Sequence, residues 1–336
     1  MHNLPQVAVI GAAIVDIPLA PVGAAVFDAH STPLSRIAMA PGGDALNEAL
    51  ALSRLGARPL LVSVVGEDVP GDFILKALRE AGVDAGGVGR VPGLDTGMNV
   101  VLVDGGGERR FITSESGSLR KLGLSDILPA LESPAFAGVR IACLASMFVS
   151  PLLTLEDTAA LFDRLKARGV TLCADTTRPK HGETLREAGA ALSRLDYFFP
   201  NEGEAAALTG ESDPDAMADA LLEAGVGHAV IKLGGAGCLL ASAAERHRIP
   251  AVPGVVPVDT TGAGDTFAAA FIAALAEGRA FIDCGRFANA AASLCVEHVG
   301  ARGTWTQADV EERLKLLAQA RHRPLTGDQR QSGLLK

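Results

Sequence analysis

Short apolar runs alternate with segments of helical period along most of the chain. RPLLVSVVG, VRIACLAS, VTLCAD and HAVIKLGG have the length and apolar content of buried strands. Between them, LEDTAALFDRLKARG and DPDAMADALLEAG repeat their apolar residues at helical spacing. Such alternation predicts an α/β fold with a mainly parallel sheet covered by helices. The runs LKARG and LLEAG both close on glycine, which accepts the left-handed backbone that follows a helix. The sequence has no internal repeat.

Two stretches break this rhythm. Residues 12–40 and 94–118 are richer in Gly, Pro and alternating patterns, and TGMNVVLVDGGGERRFITS reads as a hairpin around Asp104 to Gly107. These segments form either a separate small β-layer or two long surface loops. Under the first reading, residues 1–11, 41–93 and 119–322 make a large α/β domain and 12–40 with 94–118 make a β lid. Length alone leaves the domain count open. From Arg323 to Lys336 periodicity is lost and few large apolar residues remain, which predicts a flexible tail.

Composition narrows the function class. With 48% hydrophobic and 21% charged residues in 336, the chain can bury a large core as a soluble globular protein. A formal charge of -9 leaves no surplus of Lys and Arg for a nucleic-acid backbone or an anionic bilayer. The apolar start VAVIGAAIVDI is too short for a membrane span and lacks a signal peptide's basic front, so a cytoplasmic protein is expected. Cys143, Cys173, Cys238, Cys284 and Cys295 form no CxxC pair and are expected to be reduced packing residues.

Candidate chemistry concentrates in Val258 to Phe271, VDTTGAGDTFAAAF, where a strand-like approach meets a glycine turn and then an Ala-rich helix. Gly262, Ala263 and Gly264 permit tight backbone geometry. The first turn of the helix offers unpaired N–H groups and a partial positive charge, an arrangement suited to a phosphoryl group. Asp265 stands beside that position, is expected to stay ionised there, and can accept a proton from a hydroxyl. Read without its neighbours, Asp265 would only cap its helix. FAAAFIAALA and FANAAASLCV are apolar nearly all round and are expected to be buried behind the turn. No Gly-x-x-x-x-Gly-Lys, HRD, DFG, HExxH or GxSxG is present, so the corresponding nucleotide-binding, protein-kinase and hydrolase mechanisms lack their residues.

DTTGAGDTF resembles the C-terminal signature of the ribokinase-like, or PfkB, carbohydrate kinase family, and PGGDALNEALALSRLG at 41–56 resembles its N-terminal signature. The likeness runs from Val7 to about Gly303. It implies a three-layer α/β/α fold with a small β lid, and ATP-dependent phosphorylation of a hydroxyl with Mg2+. On this resemblance Gly42, Gly43, Asp44 and Asn47 lie at the sugar, as does Asp16 in GAAIVDI. Asn201 and Glu204 match an NxxE element that organises Mg2+ through water, although alone they read as a capping box. Lys232, Gly234 and Gly237 in VIKLGGAGCLL resemble the nucleotide-binding strand and turn, or a plain glycine hairpin. Asn289 falls on the adenine side, or simply satisfies nearby backbone. Asp259, Thr261 and Gly300 resemble a monovalent-cation site, which adds K+. Lid strands in this family often pair with a second subunit, implying a homodimer.

Departures from familiar members bear on the acceptor. Asp44 stands where ribokinases and phosphosugar kinases often carry Lys, which disfavours a phosphorylated substrate. Aromatic residues are scarce in the lid segments, with Phe27 and Phe111 the main candidates, so a nucleoside base would find few stacking partners. An unphosphorylated sugar or sugar acid is expected as acceptor. The alternatives are a nucleoside kinase or a catalytically inactive module that senses a sugar or nucleotide.

Overall fold

The computed structural model describes residues 6–106, 108–180, 182–298, 300 and 303–320. The tail expected from Arg323 lies outside the described residues. Strands run β1 Val7–Ile10, β2 Ile14–Ala20, β3 Arg36–Ile37, β4 Ala40–Gly42, β5 Pro59–Gly66, β6 Asp84–Val91 and β7 Met98–Val103. They continue with β8 Arg109–Thr113, β9 Ile141–Met147, β10 Thr171–Thr176, β11 Tyr197–Phe199, β12 His228–Lys232, β13 Cys238–Ser242 and β14 Arg246–Ile249. The helices are α1 Asp44–Arg54, α2 Val69–Ala81, α3 Leu124–Leu131, α4 Leu155–Lys166, α5 Leu185–Leu192, α6 Glu202–Thr209, α7 Pro214–Glu223, α8 Ala263–Ala276, α9 Phe281–Cys295 and α10 Gln307–Ala320.

Nine strands form the main sheet in the order β14-β13-β12-β11-β10-β9-β1-β5-β6, parallel except for the antiparallel pairs that join β13 to β12 and β14 to β13. Alternation along β1 sends Val7 and Val9 into one core, with α1, α8 and α9, and Ala8 and Ile10 into the other, with α3 to α7. The sheet is therefore buried on both faces, as its continuous apolar strands require. β1 lies between β9 and β5, so the chain leaves it in both directions and opens a crevice at the strand C-termini.

β2, β3, β4, β7 and β8 form a second, smaller sheet. Its hairpin turns where the sequence predicts, with Val103 opposite Arg109 and Asp104 accepting from the amides of Gly106 and Glu108. The alternative of two long surface loops is thereby set aside. Helix ends also follow local chemistry: Thr154 and Asp157 make a capping box at α4, and Gly169 and Gly225 take positive φ just past α4 and α7. All five cysteines are buried and free of disulfides.

The site-bearing helix α8 is apolar on every side and buried from Thr266 to Ala274. Phe271 anchors it, fully buried and with ring centroids 5.2 Å from Phe199, 5.7 Å from Tyr197 and 6.0 Å from Phe281. Phe271→Ala is expected to cost about 3–5 kcal/mol of unfolding free energy in urea, whereas a loss below ~1 kcal/mol would mean that this cluster does not hold the helix.

Candidate active site

The start of α8 is set by glycine. Gly262 holds φ 71°, a left-handed conformation that turns the chain into the helix, and its carbonyl accepts from the Thr266 amide at 2.8 Å. The Ala263 amide is spent on Thr260 O at 3.2 Å. Among the described residues, the amides of Gly264 and Asp265 have no hydrogen-bond acceptor. The expected cradle thus narrows to two donors rather than the whole Gly262–Asp265 turn. Glycine at 264 also admits a cation, because a Cβ there would lie only 3.3 Å from Lys232 Nζ.

Asp265 is aimed by a helix from the other half of the chain. Its Oδ2 accepts from Asn47 Nδ2 at 2.8 Å, across 218 positions. Asn47 lies in α1, which begins after Gly43 at φ 90°, where a Cβ would sit 2.5 Å from Ala12 O. At Gly42 a Cβ would fall 2.2 Å from Asp16 Oδ2, so the absence of a side chain lets the Asp16 carboxylate reach this point. Asp16 Oδ1 in turn accepts from Asn99 Nδ2 at 3.1 Å.

Two cavities meet here. One, of about 640 Å³, is lined by Asn201, Glu204, Lys232, Gly234, Gly237, Ala263, Gly264, Asp265 and Asn289. The other, of about 760 Å³, lies beneath the small sheet and is lined by Asp16, Asn47, Arg36, Arg109, Asp259, Thr261 and Gly300. Asp265 lines the first and its partner Asn47 the second, so their hydrogen bond spans the boundary. Asp44 lines the first cavity and not the second, apart from Asp16 and Asn47, with which the resemblance grouped it. Phe27 and Phe111 are exposed and line neither cavity.

The charge balance is strongly acidic around one ammonium. Lys232 Nζ donates to both oxygens of Asp175, each at 2.7 Å. Burial alone would lower the Lys232 pKa, but Asp175 and then Glu204 outweigh it and hold the ammonium above its ordinary range. At Asp265, burial first and then Asp175 push the carboxyl up to about 6, against smaller opposing effects of Asn47 and Lys232, so the group is still mostly ionised at neutral pH. Burial, Asp265 and Asp175 likewise raise Asp44 well above the carboxylate range, which weakens the repulsion expected of it.

The remaining candidates come together, several in double roles. Asn201 caps α6 by accepting the Glu204 amide at 2.9 Å, and Glu204 Oε2 accepts the Asn201 amide at 2.8 Å. The capping box is therefore real, on a cavity wall. Asn289 Nδ2 donates to Ile249 O and Pro250 O, each at 3.3 Å, and also faces that wall. Asp259 accepts the amides of Thr261 and Gly300 at 2.9 and 2.6 Å, together with the Arg109 guanidinium. Neither Asp175 nor Arg109 was singled out from sequence as a site residue. In the sequence Asp175 closes the buried strand VTLCAD and opens DTTRP, which resembles only loosely a DxNxR run of fructokinase-like members.

Comparison with known proteins bears on the family and the fold. The profile of the pfkB family carbohydrate kinases matches residues 4–308. A ribokinase from Bacillus subtilis is 33% identical over 279 residues, covering 82% of this chain and 87% of its own. A cytidine kinase from Thermococcus kodakarensis is 31% identical over 277 residues, covering 80% and 92%. Among solved structures, an E. coli ribokinase II candidate in complex with ATP and Mg2+ superposes with a TM-score of 0.78 at 26% identity, over 93% of this chain and 99% of that one. With both signatures, the two-sheet architecture and a match across nearly its whole length, the chain belongs to the PfkB family of carbohydrate kinases and is a phosphotransferase.

Proposed function

We propose that the protein transfers the γ-phosphoryl group of ATP to a hydroxyl of an unphosphorylated sugar or sugar acid, with Asp265 as the general base. The observation that carries this reading is the Asn47–Asp265 hydrogen bond at the boundary of two cavities, beside two unspent amides at the start of α8. ATP belongs in the first cavity, its phosphates toward Lys232 and the Gly264 and Asp265 amides. The acceptor belongs in the second, where Asp16 and Asn47 offer partners to hydroxyls and Asn47 keeps the Asp265 carboxylate turned toward the reacting oxygen. Phosphoryl transfer asks mainly for positioning and fixed charge, which these groups supply.

Mg2+ fits the donor set. Asp44, Asp175, Asn201 and Glu204 give hard oxygen donors around the first cavity. Among the described residues no group of three or more His, Cys, Asp or Glu is placed to hold a metal alone. Asn201 and Glu204 would therefore hold it through water while phosphate oxygens supply the inner contacts, and the ion would neutralise charge on the phosphates.

A nucleoside acceptor is the second reading, favoured by the likeness to the cytidine kinase. Among the described residues, none that lines the second cavity carries an aromatic ring, which leaves a base without a stacking surface. An inactive sensing module would not need Asp265 held by Asn47. We place the reaction in the cytoplasm, where ATP is available; among the described residues no helix is long and apolar enough to cross a membrane. We also propose a homodimer through the small sheet, because Phe27, Ile37, Phe111 and Ile112 leave apolar surface exposed there.

Three outcomes are expected. Asp265→Ala should stay folded and lose about 10²- to 10⁴-fold in turnover, measured by ADP release across pentoses, hexoses, ketoses, sugar acids and nucleosides. Full turnover in the folded variant would remove Asp265 from the role of base. Because the base must be ionised and its pKa is raised to about 6, log kcat/KM should climb with unit slope below that pH and level off above it. A profile flat from pH 5 to 8 contradicts the assignment. Ile37→Glu should convert the dimer into a monomer in light scattering; a wild-type monomer would exclude the subunit pairing.

A further inference from the structure

The loop leading into the cradle hangs on one carboxylate. Asp259 Oδ1 accepts from the Thr261 amide, and Oδ2 accepts from the Gly300 amide and from Arg109 Nη2. The ion pair is largely enclosed, with the Asp259 side chain 7% and the Arg109 side chain 22% exposed. Arg109 comes from elsewhere in the fold, as the first residue of β8 in the small sheet. Of the ion pairs among the described residues, this one alone joins the small sheet to the loop before α8.

This arrangement does not fit the monovalent-cation site that Asp259, Thr261 and Gly300 suggest by resemblance. An alkali ion there would need the same carboxylate, yet a guanidinium is already seated on it and would repel a second cation. We propose that Arg109 is the resident cation of this loop, so that the protein works without K+. The guanidinium fixes the Asp259 carboxylate, and the carboxylate fixes the Thr261 and Gly300 amides at either side of the turn that presents Gly264 and Asp265. Arg109 is thus a positioning residue. It stands on the small sheet and also lines the second cavity. What the charge serves rests on the kinase reading above; whether it displaces K+ does not.

The test is thermal unfolding of the full chain in KCl and in tetramethylammonium chloride at equal ionic strength, for wild type, Arg109→Gln and Arg109→Lys. An ion bound only by the folded state raises the midpoint, so wild type and Arg109→Lys should shift by less than ~1 °C between the salts, and Arg109→Gln should gain ~2–4 °C in KCl. A neutral side chain that only lost a structural bridge would be weakened equally in both salts. Stabilisation of wild type by K+, or an Arg109→Gln protein indifferent to K+, would overturn the proposal. If Arg109→Gln does not fold, the wild-type response decides alone: insensitivity supports Arg109 as resident cation and a K+ gain refutes it. Failure of the kinase reading would appear separately, as no ADP release on any acceptor with the ion responses unchanged.

Discussion

The hydrogen bond between Asn47 and Asp265 joins two helix starts that lie 218 positions apart in the chain. The proposed chemistry requires those two starts to stay in register. α1 and α8 pack in the same core, against the face of the sheet that carries Val7 and Val9, and α8 is wrapped in apolar contacts along its buried length. A helix with no polar face cannot slide toward water without exposing that surface. Rigidity at the core therefore becomes fixed direction for one carboxylate and two amides, the kind of preorganisation that electrostatic catalysis needs.

Acidity is the cost of this design. Asp44, Asp175, Glu204 and Asp265 crowd one cavity with Lys232 as the ammonium among them. Burial and mutual repulsion lift Asp44, Glu204 and Asp265 above their ordinary range. Because the folded protein holds the Asp265 proton more tightly than an unfolded chain, ionising that group weakens the fold as pH rises from the usual carboxylate range to about 6. The same lifted pKa makes Asp265 a better base near neutrality than an exposed aspartate. A cavity so rich in oxygen donors suits a hard cation arriving with phosphate oxygens.

Local patterns revealed the strands, the helix ends and the hairpin at Asp104, because each depends on residues a few positions apart. The glycine turn before Asp265 was legible for the same reason, and Asn47 through the resemblance of PGGDALNEALALSRLG to a family signature. The Asp175–Lys232 and Arg109–Asp259 pairs were not, since they join residues 57 and 150 positions apart and nothing local marks them. Sequence reasoning also set capping against ligation for Asn201 and Glu204, whereas the fold puts the capping box on the cavity wall. Sequence reasoning also left the burial of Asp265 out of account, and that burial is the main cause of its raised pKa.

The central claim is that the Gly264 and Asp265 amides receive the phosphoryl group in flight. The most direct measurement is a crystal structure with ADP, Mg2+ and aluminium fluoride standing in for that group. The account predicts fluoride ligands within about 2.7–3.1 Å of both amides, with the Asp265 carboxylate facing the acceptor cavity. Nucleotide bound with its phosphates away from the start of α8 would contradict it.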